Sequence, residues 1–460
     1  VHITAHLDVE MIALETADQL SVMIDLSAPP APGDAVERAP STFVVVLDRS
    51  GSMAGSRLDG ARTALTSLVD RLDPRDHFGL VVFDDKVEVP VPARRLTDKA
   101  AAKRAIDGVV VRGGTDLSGG YLRGLQEARR VAGAAGATVL IISDGHANVG
   151  VTDPDALAQV AAEAYTHAVT TSTLGFGLGY DERIMSAIAR AGSGNEHFAE
   201  EPDTAVALIA GEVEGLLAQT VQAASLHVSL TPVVKSMLVV NDLPASRVDD
   251  GVLIELGSFY ADETRKLVLT FDIPAVAALG LTQVATLTFT YVELPALLQH
   301  TVTVPVHVNV VPGDVAAGRV PDPVVRTELV YLRAQQAKRR ASAHLGSGDP
   351  EAALKEIRQA QREIAEARVD APEALAADLA EEAETLSYLE RETESGSASR
   401  AGKVLSRSSA LRLQKRGRVD ITPQAPSAGT PPPAPPAGTA PQEPPAGEQQ
   451  GEGDTDGADT

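Results

Sequence analysis

The stretch whose reading decides the fold is Ser41-Thr-Phe-Val-Val-Val-Leu-Asp-Arg-Ser-Gly-Ser-Met53. Residues 43–47 are apolar without interruption and then give way to Asp48, Ser50 and Ser52. A short continuous apolar run is the pattern of a strand buried on both faces, as in a parallel sheet covered by helices. The oxygen-bearing residues then fall at the carboxyl end of that strand, where open α/β sheets bind their ligands.

Working outward, residues 42–220 alternate strand and helix patterns. Strands are predicted at 77–83, 138–142 and 170–175, with a short antiparallel edge at 87–91 where prolines cluster. Helices are predicted at 55–72, 98–109, 117–132, 154–167, 181–191 and 203–219. Such alternation predicts a doubly wound, mainly parallel α/β sheet of Rossmann-like kind.

The flanks read differently. Residues 1–28 alternate with period two, through Ile3, Ala5, Leu7 and Val9 and then Leu20, Val22, Ile24 and Leu26, predicting a hairpin with a polar turn around 16–18. Five more alternating strands follow residue 222, around Leu226, Ile254, Leu269, Phe289 and Val306, and predict a β-sandwich. Pro305 places the last of them at an edge. A lone hairpin is unstable, so it is expected to complete the sandwich, making the α/β segment an insertion in a split β domain. The expected organisation is 1–40 hairpin and linker, 41–221 α/β domain, 222–314 sandwich, 315–395 helical region and 396–460 basic linker and tail. Breaks at 346–350 and 369–372 divide the helical region into three helices, the last with a seam of Leu375, Leu379, Leu386 and Leu389. The basic run Arg400 to Arg418 and the Pro/Gly/acid tail lack apolar periodicity and are predicted to be disordered.

Composition narrows the function. Among 460 residues the formal charge is -23, which argues against phosphate-backbone contact and hence against nucleic acid. Aromatics are 3%, so stacking platforms are scarce. The absence of cysteine removes disulfides, thiolate zinc sites and a Cys nucleophile. No apolar run reaches the ~18 residues of a membrane span, and a cytoplasmic protein is the expectation.

Two further segments should converge on the mouth of the first strand. The run Val139-Leu-Ile-Ile-Ser-Asp144-Gly145 ends a second buried strand in a carboxylate, and Gly113-Gly-Thr115-Asp116 presents a hydroxyl before a helix. Hard, small oxygen ligands from three segments suit Mg²⁺, with Mn²⁺ or Ca²⁺ as substitutes. An EF-hand would need Gly and Glu where Met53 and Asp59 stand. A phosphatase of the aspartyl-phosphate type would want a second Asp at Ser50, and no G-x-S-x-G elbow is present. The glycines of Gly175-Phe-Gly177-Leu-Gly179-Tyr180 imitate a dinucleotide fingerprint but read better as a strand-to-helix turn. His146, two residues beyond Asp144, reads as a loop histidine without a special role.

Together, Asp48-Arg-Ser50-Gly-Ser52 with Thr115 and Asp144 resembles the metal-ion-dependent adhesion site of von Willebrand factor type A domains, over about residues 42–220. The resemblance implies that Ser50, Ser52 and Thr115 contact the ion while Asp48 and Asp144 act mainly through water. The whole arrangement is similar to bacterial A-domain proteins and to the A-domain part of certain plant ubiquitin ligases, whose zinc-dependent activity cannot transfer to a chain without cysteine. The implied function is a non-enzymatic binding module whose metal captures an Asp or Glu of a partner protein. The alternatives are a regulatory subunit docking on an ATPase or signalling assembly, and a metal-dependent hydrolase, for which no general base is evident.

Overall fold

Along the chain the computed structural model describes residues 1–31, 38–177, 179–199 and 201–395, together with 402 and 405. It opens with β1 (His2–Leu7), β2 (Met11–Ala13) and β3 (Asp18–Ser27). β1 and β3 pair antiparallel, as the alternation predicts, but the connection is more than a turn. β2 leaves the hairpin to pair elsewhere.

The α/β domain follows as β4 (Thr42–Asp48), α1 (Ser56–Arg71), β5 (His77–Phe83), β6 (Val87–Arg95), α2 (Lys99–Asp107), α3 (Leu117–Val131), β7 (Ala137–Ser143), α4 (Pro154–Thr166), β8 (Val169–Phe176), α5 (Glu182–Ala191), β9 (Ser193–Ala199) and α6 (Pro202–Leu217). The sheet order is β6-β5-β4-β7-β8-β9, all parallel except β6 at one edge. β4 is therefore central, and all seven of its residues are buried. Phe43, Val45 and Leu47 face the layer of α1, α2 and α6, whereas Val44 and Val46 face α3, α4 and α5. Asp98, Asp116, Asp153 and Asp181 each accept a backbone N–H as N-caps of α2 to α5, which fixes where those helices begin. On α3, a Cβ at Gly124 would come within 2.3 Å of Val46 and one at Gly120 within 2.6 Å of Phe83. Only glycine lets this helix lie so close to the sheet.

β9 was not predicted. Its sequence, Ser-Gly-Asn-Glu-His-Phe-Ala, has no apolar run because its buried side chains are partly polar: Asn195 and His197 donate to Glu212 of α6 at 2.7 and 2.9 Å.

The remaining strands are β10 (Gln219–Leu230), β11 (Ser236–Val239), β12 (Ala245–Val248), β13 (Gly251–Tyr260), β14 (Thr264–Ile273), β15 (Gly280–Glu293) and β16 (Leu298–Val311). They form one sheet of order β1-β3-β14-β11 and another of order β12-β13-β10-β15-β16-β2. Strands before and after the α/β domain thus share both sheets and one apolar core, with Leu20, Val22, Ile24 and Leu26 packed among Leu226, Phe259, Leu269 and Phe289. Pro305 faces β15 and lies before the short parallel contact of β16 with β2, so its missing N–H falls on an otherwise unpaired stretch. β11 and β12 are short, with exposed or half-buried faces, and carried no alternation strong enough to read. The division at 221/222 falls inside β10, which starts at Gln219 and takes up register shifts before Ser225.

Both connections to the α/β domain meet the turn between β13 and β14. Glu263 O accepts from Ala28 N at 2.8 Å, Asp262 N donates to Pro29 O at 3.2 Å, and Ala261 N donates to Ala218 O at 2.8 Å.

Four helices follow: α7 (Gly313–Ala316), α8 (Pro323–Gly346), α9 (Pro350–Ala367) and α10 (Glu373–Glu394). The last three match the predicted helices, and the α10 leucine seam is buried. Leu405 is buried against it, so the helical core reaches past the predicted end at 395. Apart from 402 and 405, the basic run and tail lie outside the described residues. Asp242, after β11, pairs with Arg190 of α5 at 3.5 Å and with Arg339 of α8, tying three parts of the molecule together. Among the described residues no helix is long and apolar enough to cross a membrane.

Candidate metal centre

At the carboxyl end of β4 the chain turns through a short 3-10 segment, Gly51–Met53, before α1. Arg49 points away from the mouth and anchors the turn: its guanidinium donates to Asp84 at 2.5 Å and to Glu88 at 3.0 Å. Its carbonyl accepts from Arg112 N at 2.8 Å, and Gly51 N donates to Gly113 O at 3.3 Å. The loop carrying Thr115 is thereby tied to the loop carrying the two serines. Thr115 is fixed through its backbone, donating to Asn148 Oδ1 at 3.0 Å and accepting from Asn148 N and Val149 N.

The structure brings all five predicted residues together. Asp48 Oδ1 accepts from Ser50 N at 2.7 Å, and Oδ2 accepts from Ser143 Oγ at 2.6 Å. Ser50 Oγ and Ser52 Oγ are 3.1 Å apart, and Ser52 Oγ donates to Asp144 Oδ1 at 2.7 Å. Thr115 joins through Gly145. A Cβ built there would lie 3.4 Å from Ser52 Oγ, 3.4 Å from Thr115 Oγ1 and 3.9 Å from Asp48 Oδ2. Oxygens from two distant segments, 48–52 and Thr115, thus lie within van der Waals contact of one point on a third, and Gly145 puts no side chain there.

The electrostatics favour a cation. Asp48 and Asp144 are both buried. Burial pushes Asp48 up to about 6, against the pull of its hydrogen bonds from Ser143 and Ser50, and the neighbouring Asp144 charge adds to the rise. Two buried carboxylates with two or three neutral hydroxyls are a donor set that suits a hard divalent ion. Among the described residues no three His, Asp or Glu side chains are grouped as a metal site, so this candidate depends on the hydroxyls.

Three contributors were missed in the sequence. Ser143 holds Asp48, and its place before Asp144 in the quoted strand was the available signal. Gly145 keeps the cradle open. Arg57, in the first turn of α1, donates to Asp144 Oδ2 at 2.5 Å and to Ser52 O at 3.2 Å, across a sequence separation that no local pattern reveals. His146 is mostly exposed and lies 3.5 Å from Asp181, in keeping with a loop residue. The glycine series at 175–179 serves packing: Gly175 meets the ring of Tyr180, and Gly177, at φ 66°, lies beneath the Arg57 guanidinium.

Gly145→Val tests the cradle. The branched side chain would occupy the space between Ser52 and Thr115, and divalent-ion affinity measured by calorimetry is expected to fall at least ~10-fold while the fold persists. Unchanged affinity would place the ion elsewhere.

Residues 43–210 match the family model of the von Willebrand factor type A domain, and this segment is a domain of that class. An uncharacterized protein of Synechocystis is 30% identical over 169 residues, covering 37% of this chain and 40% of that protein. Human inter-alpha-trypsin inhibitor heavy chain H4 is 29% identical over 182 residues, 37% of this chain and 19% of that one. Escherichia coli YfbK is 27% identical over 195 residues, 42% and 34% of the two chains. The chain therefore spans less than half the length of these relatives. A von Willebrand factor type A protein from Catenulispora acidiphila superposes with a TM-score of 0.67 at 16% identity, over 82% of this chain and 88% of that one. The ArnB paralog VWA2 of Sulfolobus acidocaldarius gives 0.61 at 15%, over 91% and 99%. At these identities the likeness is one of fold, and it extends beyond the A domain.

Proposed function

We propose that the chain is a non-enzymatic protein-binding module in which Asp48, Ser50, Ser52, Thr115 and Asp144 hold Mg²⁺, or Mn²⁺ or Ca²⁺ in its place, for capture of an Asp or Glu side chain of a partner protein. Domains of this class are as a rule protein-interaction modules. The observation that supports the reading best is the cradle at Gly145, where hydroxyl and carboxylate oxygens of Asp48, Ser52 and Thr115 lie around one small space beside two buried acids.

A divalent cation held there supplies Lewis acidity and a coordination position for an incoming carboxylate. The protein's own groups set how strongly that carboxylate is drawn. Ser52 spends its proton on Asp144, which turns its lone pairs toward the cradle. Asp48 has both oxygens engaged by Ser50 N and Ser143 Oγ and supplies charge from behind the hydroxyls. Neutral donors nearest the ion leave its charge largely uncancelled, which favours an anionic ligand from outside.

The test is affinity capture from native lysate in Mg²⁺, eluted with EDTA, alongside Asp48→Ala. A protein retained by the wild type, released by EDTA and missing from the variant supports the reading. Equal capture by the variant, or retention through EDTA, overturns it.

A further inference from the structure

We infer that Arg57 is a resident counter-charge that keeps Asp144 from binding the metal directly, lowering metal affinity and thereby preserving the metal's attraction for an external carboxylate; this rests on the proposed metal reading.

Arg57 stands in the first turn of α1, where the partial positive charge of the helix N-terminus disfavours a cation. A residue that breaks a local rule needs a compensating partner, and here it is the fully buried Asp144, with Arg57 itself about one-third exposed. The pairing is specific. Asp144 Oδ2 accepts from Arg57 while Oδ1 accepts from Ser52, so both carboxylate oxygens are engaged by the protein. The guanidinium is held from two further sides. It donates to Ser52 O at 3.2 Å, and it rests on Gly177, where a Cβ would lie 3.0 Å from Nη2. Gly177 has φ 66°, a conformation that suits glycine, so the platform and its lack of a side chain come together.

Two consequences follow for metal binding. Like charge between guanidinium and ion weakens binding, and the engaged carboxylate cannot swing toward the ion without giving up its ion pair. Removing the charge while keeping polarity should therefore tighten metal binding, which a merely structural contact would not do.

Calorimetric titration of the full chain with Mn²⁺ tests this. Arg57→Gln is expected to bind about tenfold tighter, the order expected for losing one nearby like charge, and Arg57→Lys, which keeps the charge, to stay near wild type. Arg57→Gln binding no tighter than wild type overturns the inference. If the wild type itself binds neither Mn²⁺ nor Mg²⁺, the metal reading fails instead. A second measurement needs no Arg57 variant: infrared difference spectra of the wild type and of Asp144→Asn, each at a Mg²⁺ concentration that calorimetry shows to saturate it. Identical carboxylate-stretch changes in the two support an Asp144 held off the ion. A metal-induced band present only in the wild type means direct coordination and overturns the inference.

Discussion

Asp48→Asn is expected to produce two opposite effects: loss of divalent-ion binding by about 100-fold or more, and greater stability of the metal-free chain at pH 7, by as much as ~3 kcal/mol. The second follows from burial. Asp48 has its carboxyl raised from 3.8 to about 6, chiefly by desolvation. Between those values the folded chain binds more protons than the unfolded one, so stability falls as pH rises from about 3.8 to 6 and is level above. Asparagine keeps an acceptor for Ser50 N and offers a donor to Ser143 Oγ, while removing the buried charge. Denaturation of both proteins in EDTA at pH 4 and pH 7 should show the variant's advantage at pH 7 and little difference at pH 4. Comparing the pair isolates Asp48 from Asp8, Asp242 and Glu255, which burial shifts in the same direction. The same proton competes with the metal, so wild-type Mg²⁺ affinity should fall about tenfold per pH unit below about 6. A stability difference that is the same at both pH values would show that burial of the Asp48 charge is not its source.

The second large effect lies in the helical region. Lys338 of α8 and Glu382 of α10 are both fully buried and meet at 2.8 Å. Removing either alone takes from the other its buried opposite charge, and Lys338→Met is expected to cost about 3–5 kcal/mol. Lys338→Met combined with Glu382→Leu should recover most of that, because a buried ion pair contributes little over a well-packed apolar replacement. Urea denaturation of the two single variants and the double variant measures the coupling. A loss in the double variant equal to the sum of the two single losses would mean that the pair is not coupled. Glu382 occupies a position in the α10 seam, between Leu379 and Leu386, where the spacing calls for an apolar residue. The pair thus sets which residues of α8 and α10 stand opposite each other.

That seam illustrates what was legible. Leu375, Leu379, Leu386 and Leu389 announced an apolar stripe, and the interruption at 382 was visible, but its partner 44 positions earlier was not. The centre of the α/β sheet read cleanly because strands buried on both faces are continuously apolar. β9 did not, because hydrogen bonds to Glu212 let polar residues be buried there. At the candidate metal centre, the five oxygen-bearing residues were legible as types that share a chemistry. Arg57, Ser143 and Gly145 were not, since their roles depend on where three separate segments come to lie: one supplies charge, one a proton and one empty space.

The convergence of both connections on the turn between β13 and β14 has a mechanical consequence. β4 starts at Thr42, beside that junction, and ends at Asp48 in the candidate centre, about 20 Å farther along at the usual rise of a strand. A partner pulling on the centre would load β4 along its own axis. Because β5 and β7 flank it in parallel over its length, the hydrogen bonds of both ladders would resist together in shear instead of opening one after another. The domain is attached at the end of the sheet from which a load applied at the candidate centre would meet both ladders at once.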